Sequence, residues 1–379
     1  GYSGKFSNAG EQITLSTLQD NSDVISFELK DARGWPGSAD GAGHSMVPLQ
    51  SAITEQPDGS LDYGGNWRAS YALNGSPGAA DPEPGQTVVI NELVSNPQSG
   101  ESDWIELYNP SSSPIDLGNW YLSDDAAALT KWAIPSGEIA AGGWITFTEE
   151  DDFDNPVGSG FGLSKDGETL YLSYLPGISG IDRIVDAVSF KAQDTDRAWG
   201  RFTDGNSYFV ATLLTSQNSA NEAATSNLVI DEIMYQPSAL ESGDDNTTAE
   251  YIELVNVSDK SITLQNDNGV YHLDGGVQID FPADVELSSG ERILLVSFDP
   301  TDSTLLAAFE NRYGLTGSEL RLFGPYTGKL SNRGERIAIE KPKGIDEVTL
   351  TTDWGIVDEV IYFYRSPWTS ETNGTGKSL

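Results

Sequence analysis

Cysteine is absent from the 379 residues, and with it go disulfides, thiolate chemistry and zinc ribbons. Histidine is almost absent: His44 sits in a Gly-rich turn and His272 in an amphipathic strand, and no Ser-His-Asp or Cys-His arrangement can be built around either. Basic residues are scarce, with 21 Lys and Arg against 58 Asp and Glu, a net charge of −37. A nucleic-acid binder needs a basic footprint, and none is visible. No run of about 18 apolar residues exists, so the sequence predicts no transmembrane segment. Strong acidity favours solubility and attracts divalent cations. Secreted animal domains usually carry disulfides, so acidity without cysteine suits a bacterial, exported protein, extracellular or at the cell surface.

What is present is aromatic weight and turn chemistry. Nine Trp, 15 Tyr and 13 Phe supply core volume, while 40 Gly and 18 Pro, spread along the chain, predict tight turns between short strands. Gly4-Lys5-Phe6-Ser7-Asn8-Ala9-Gly10-Glu11-Gln12-Ile13 returns as Gly328-Lys329-Leu330-Ser331-Asn332-Arg333-Gly334-Glu335-Arg336-Ile337. A degenerate copy, Gly162-Leu163-Ser164-Lys165-Asp166-Gly167-Glu168, lies between them. Recurrence every roughly 150 residues marks tandem domains, since solenoid repeats run only about 20 to 50.

The acidic linker Asp81-Pro82-Glu83-Pro84-Gly85 and the small-residue linker 220–226 each precede the same kind of strand, Val88–Leu93 and Leu228–Ile233. Then come Trp104-Ile105-Glu106-Leu107-Tyr108-Asn109 and Tyr251-Ile252-Glu253-Leu254-Val255-Asn256, alternating with the period of half-buried strands. Later pairs are Trp144–Phe147 with Arg292–Val296, and Ile184–Phe190 with Ile356–Tyr362. One short helix is predicted: Asp302 or Ser303 caps it, Leu305, Leu306, Phe309 and Tyr313 form its apolar face, and Gly314 stops it.

These elements resemble the lamin-tail domain, an immunoglobulin-like β-sandwich. The resemblance rests on the opening strand, the Trp/Tyr-Ile-Glu-Leu-x-Asn strand, Ile115-Asp116-Leu117 with Trp120-Tyr121-Leu122, and the Gly-x-Leu-Ser-Asn-x-Gly-Glu turn. The closing Asn66-Trp67-Arg68-Ala69-Ser70 with Gly75-Ser76-Pro77-Gly78 completes it. It implies an all-β chain of tandem immunoglobulin-like sandwiches with one short helix in the last repeat. Residues 1–80 read as the C-terminal part of a sandwich, 81–226 as a complete one (linker 81–87), and 227–379 as one lacking its closing strand. The expectation is a piece of a longer protein, with strand exchange between copies as the rival explanation. The resemblance also implies large bacterial surface and secreted proteins in which such domains accompany nucleases and other catalytic partners.

Candidate chemistry is sparse. Glu92 with Glu106, and Glu232 with Glu253, place two carboxylates on neighbouring strands, but inside motifs that specify the sandwich, so structural pairing is the better reading. Asn373-Gly374-Thr375-Gly376-Lys377-Ser378 lacks the upstream Gly of a phosphate-binding loop. Acidic loops could hold a hard cation such as Ca²⁺: the candidates are Glu149, Asp151, Asp152 and Asp154, and Asp299 with Asp302, although none has the spacing of a calcium loop. Asp302 is explained as well by helix capping. Trp35, Trp368 and, approximately, Trp199 fall at equivalent positions and read as packing residues. Trp132 and Trp354 lack counterparts and are the better candidates for exposed binding residues. The expectation is a non-catalytic, extracellular structural or adhesive repeat protein whose partners are other copies of itself or neighbouring surface proteins. The alternative is the accessory region of a secreted enzyme such as a nuclease.

Overall fold

The computed structural model describes residues 5–49, 60–154, 160–212, 215–221, 226–317, 320–346, 349–364 and 368–379. The chain is all-β, with one helix of seven or more residues among the described residues, and divides into two compact units, residues 1–225 and 226–379.

In the first unit a sandwich is built from two antiparallel sheets. One runs in the order Trp144–Thr148, Trp104–Tyr108, Val89–Val94, Trp199–Arg201 and Phe209–Ala211. The other runs Arg183–Lys191, Gly167–Tyr174, Trp120–Ser123 and Trp132–Ala133. Ile90, Leu93, Ile105, Leu107, Leu122 and Leu172 point inward and are fully buried, as two-residue alternation requires. Residues ahead of this sandwich form two hairpins, Glu11–Ser16 with Asp23–Leu29 and Met46–Pro48 with Trp67–Ala69.

The second unit repeats the plan. One sheet orders Leu228–Met234, Tyr251–Asn256, Arg292–Val296 and Arg321–Phe323, the last pair being parallel. The other contains Thr327–Gly328, Val277–Asp280, His272–Gly275, Gly334–Ile345 and Thr352–Phe363. The helix Ser303–Tyr313 forms where expected: the Asp302 carboxylate accepts from Thr304 N and Leu305 N, and Gly314 ends it in the left-handed conformation. Its Phe309 packs against Tyr251, Phe298 and Val296, which extends the core.

The recurring Ser-x-x-Gly-Glu turn is explained by the backbone it holds. In all three copies the Glu carboxylate accepts the Ser amide four residues earlier: Glu11 from Ser7 (2.9 Å), Glu168 from Ser164 (2.6 Å) and Glu335 from Ser331 (2.7 Å). In all three the Ser hydroxyl accepts the amide two residues on, at 3.2 Å. The glycine must be glycine. Gly10, Gly167 and Gly334 have φ of 85°, 100° and 125°. A Cβ on Gly167 or Gly334 would lie within 2.6 Å of a partner-strand carbonyl oxygen.

Candidate functional site

The paired carboxylates are direct register partners, Glu92 opposite Glu106 and Glu232 opposite Glu253, each just after a β-bulge in the opening strand. In the first unit both are sealed: neither Glu92 nor Glu106 has exposed surface. Glu92 accepts from Ser216 N (3.2 Å) and Ser216 Oγ (2.8 Å). Glu106 accepts from Asn218 N, Asn91 Nδ2 (3.2 Å) and Thr146 Oγ1 (3.3 Å). Burial pushes both carboxyls up to about 7; for Glu92 the like charges of Glu106 and Asp204 add to it while Ser216 opposes. A general acid or base must reach a substrate proton, and a group with no exposed surface cannot. Backbone support, the reading expected from the sequence, is what the geometry provides.

In the second unit the same pair faces different neighbours. Glu232 accepts from the hydroxyls of Tyr251 (2.9 Å) and Ser378, and Glu253 lies 3.4 Å from Arg292, which also meets Asp231 at 2.8 Å. Burial raises the Glu253 carboxyl, and the Arg292 charge pulls it back.

The edge of the opening strand carries the larger difference. On Val89–Val94 it holds the closing strand, with Trp199 opposite Leu93 and Gly200 opposite Glu92. Arg201 on that strand donates to Ile90 O (2.7 Å) and, through Nη2, to both oxygens of Asp186 (3.0 and 2.8 Å). Asp186 in turn accepts Ile90 N at 2.9 Å. On Leu228–Met234 the described residues place only Leu379 on that edge, through bonds of 3.1 and 2.9 Å to Ile233. Asp358 accepts Ile230 N at 2.7 Å, as Asp186 accepts Ile90 N, yet among the described residues no arginine meets it. Its carboxyl is pushed up by burial.

This register corrects the tryptophan equivalence read from the sequence. Trp199 opens the closing strand, a position filled by Met46 and Leu379 in the other repeats, not by Trp35 or Trp368. Trp132 is buried against Phe147 and Phe153, at centroid distances of 5.0 and 6.3 Å, and is no exposed binding residue. Trp354 is half-buried and stacks on His272 at 3.6 Å.

The acidic candidates are spread over separate turns. Asp152 accepts Thr148 N (2.9 Å) within a π-helical turn spanning Glu149–Phe153, whose ends are Thr148 and Asp154. The Asp151 amide donates to Thr148 Oγ1. Glu149 faces Asp103, whose carboxyl is pushed up to about 7 by burial and by Glu149 and Glu168. Asp299 accepts from Thr301 N and Oγ1, both at 2.8 Å, and Asp302 caps the helix. Among the described residues no three His, Cys, Asp or Glu side chains gather as metal ligands. A site that composition could not locate is the closing network of Asn91, Asp186, Arg201 and Asn221: it joins residues more than 100 positions apart.

A second recurring device completes the family pattern. Asn109 gives its amide to Ser113 O, Ile139 O and Ala140 O and accepts from Ser111 N and Oγ; Asn256 repeats this with Lys260 O, Leu287 O, Ser288 O and Ser258. The model of the Lamin Tail Domain family matches residues 81–191. Residues 81–191 form a lamin-tail domain. Comparison with curated proteins returns no match. A solved structure of a DUF4876 family protein from Bacteroides thetaiotaomicron is similar at 12% identity over 74% of this chain and 79% of that one, with a TM-score of 0.28. The lamin-tail domain and the second unit share the bulged opening strand, the Asn device and the Ser-x-x-Gly-Glu turn, which makes the chain a series of immunoglobulin-like sandwiches.

Proposed function

We propose that this chain is a non-catalytic structural or adhesive segment of a bacterial extracellular or cell-surface assembly, and that it joins other copies of itself by strand addition. The observation that carries this reading is one sandwich plan repeated along the chain, in which the shared Ser-x-x-Gly-Glu turn and the Asn109 and Asn256 side chains hold backbone. Strand addition would lay a strand of one copy along a sheet edge of another. The hairpin Met46–Pro48 with Trp67–Ala69 is the first repeat's version of the closing hairpin Trp199–Arg201 with Phe209–Ala211. Ser70 N donates to Ser45 O as Thr212 N donates to Ala198 O.

The recurring polar side chains are committed to the backbone, which suits a structural role. An accessory role beside a secreted enzyme such as a nuclease is the second reading; it rests only on the company that lamin-tail domains keep.

Native mass spectrometry of the 379-residue chain over a range of concentrations tests strand addition. Head-to-tail oligomers that grow with concentration support it, and a monomer throughout overturns it. Hydrolysis of nucleic acid by the purified chain would overturn the non-catalytic reading independently.

A further inference from the structure

His44 is buried in the turn before the strand Met46–Pro48, and both of its ring nitrogens are engaged. Nδ1 lies 2.7 Å from Ser70 O; a carbonyl only accepts, so Nδ1 carries the proton. Nε2 receives the Ile184 amide at 2.9 Å, so Nε2 must be bare. Ile184 belongs to Arg183–Lys191, the outer strand of the second lamin-tail sheet. Two further bonds reach the same strand or its entry: Arg33 Nη1 donates to Ser189 O (2.8 Å) and Leu73 N to Asp182 O (2.9 Å). Below them Ala42 and Leu73 pack against Tyr171, Ile184 and Ala187.

We propose that His44 is a proton-operated latch: the neutral imidazole holds the segments that carry Arg33, His44 and Leu73 on the edge strand of the lamin-tail domain, and protonation at Nε2 turns an acceptor into a donor facing a donor and releases them. The charged groups near the ring are Asp81 and Arg183. Asp81 favours the imidazolium, but its carboxylate is already engaged by Arg68, Tyr71 N and Ser76 Oγ. Arg183, lying over the rings of Tyr71 and Tyr174, opposes a second positive charge. The Asp182 carboxylate is turned away, accepting Gly177 N and Ile178 N. The corresponding position is Arg197 in the lamin-tail repeat and Lys377 in the last one; neither side chain can accept a hydrogen bond, so the device belongs to the first repeat alone.

Burial holds the imidazole below its ordinary range, in keeping with the geometry. The released ring protonates near its ordinary value of about 6.5. Latch strength is therefore full above that pH and falls about tenfold per pH unit as pH drops through the interval to the latched value.

Amide hydrogen exchange on the 379-residue chain, corrected for intrinsic rates, tests this at pH 7.5 and pH 5. The expected result is loss of protection by about tenfold or more across residues 182–189 at pH 5, with no matching loss across 354–361 of the second unit. The neutral variant His44→Gln is expected to show no pH step at 182–189; the same step in that variant overturns the proposal. Should His44→Gln fail to fold, ring ¹⁵N NMR of the wild-type chain decides. An Nδ1–H tautomer at pH 7.5, titrating together with the exchange step, supports the latch. An Nε2–H tautomer, or protonation without a change in exchange, overturns it.

Discussion

The lamin-tail domain and the second unit solve one problem in two ways. Both set two glutamates side by side behind a bulge in the opening strand, which a sandwich interior tolerates only if something answers the charge. The lamin-tail domain folds a closing hairpin and the segment Ser216–Asn221 over the pair, caps it with amides and hydroxyls, and leaves both carboxyls titrating near neutrality. The second unit leaves the pair half-buried beside Arg292 and the Ser378 hydroxyl. One motif thus serves a sealed interior in one unit and a half-buried, arginine-paired site in the other.

The sharpest way to break this comparison is through the buried arginines. Arg201 and Arg336 are 8% and 11% exposed at the side chain, Arg201 paired with Asp186 and Arg336 with Asp274, Glu340 and Glu359. Removing one partner of a buried pair costs about 3–5 kcal/mol. Arg201→Ala should therefore lower the unfolding transition of the first unit and leave that of the second in place, and Arg336→Ala should do the reverse, both read by calorimetry. If either variant moves both transitions equally, the units are not independent.

The turn glycines come next. Gly167→Ala and Gly334→Ala each force a Cβ toward a partner-strand carbonyl at positive φ, which should cost about 1–3 kcal/mol in the respective unit, measured by denaturant unfolding. Equal losses would confirm that the turn does the same work in both repeats.

Much of this plan was legible in the sequence, because strand alternation, turn glycines and helix caps are local. The helix from Ser303 to Tyr313 with its Asp302 cap, and the strand order through Trp104 and Tyr251, follow from residues within a few positions of one another. The partners of Asp186, Asn91 and His44 do not. Arg201 reaches Ile90 and Ile184 reaches His44 across 111 and 140 positions, and no periodicity announces such a bond. Trp132 failed for a related reason: lacking a counterpart in the next repeat suggested exposure, whereas Phe153, from the turn Glu149–Phe153, covers it.

A smaller effect concerns pH. Glu92, Asp103, Glu106 and Glu168 in the first unit, and Glu250 in the second, are all raised to about 7 from an ordinary value near 4. A carboxyl with a raised folded value binds its proton more tightly when folded. Its contribution is present below the unfolded value and is lost as pH rises through about 7. The melting temperature of the first unit should therefore fall between pH 5 and pH 8, and Glu92→Gln with Glu106→Gln should flatten that slope. His44, lowered on folding, acts in the opposite sense below about 6.5 and is separated by His44→Gln. The smallest effect is expected from calcium at the loop Glu149–Asp154 or at Asp299 with Asp302, where several carboxylates already accept local amides. A melting midpoint raised by added Ca²⁺ and lowered by chelator would support an ion there, and an unchanged midpoint would remove it.

Strand addition at Leu228–Met234, as proposed, is tested most directly by amide exchange of residues 229–232 as a function of protein concentration. Strand addition predicts that their protection grows with concentration, in step with oligomer size, while residues 90–93 of the lamin-tail domain stay equally protected throughout. Protection at 229–232 that is independent of concentration, or oligomers that leave it unchanged, would contradict strand addition at this edge.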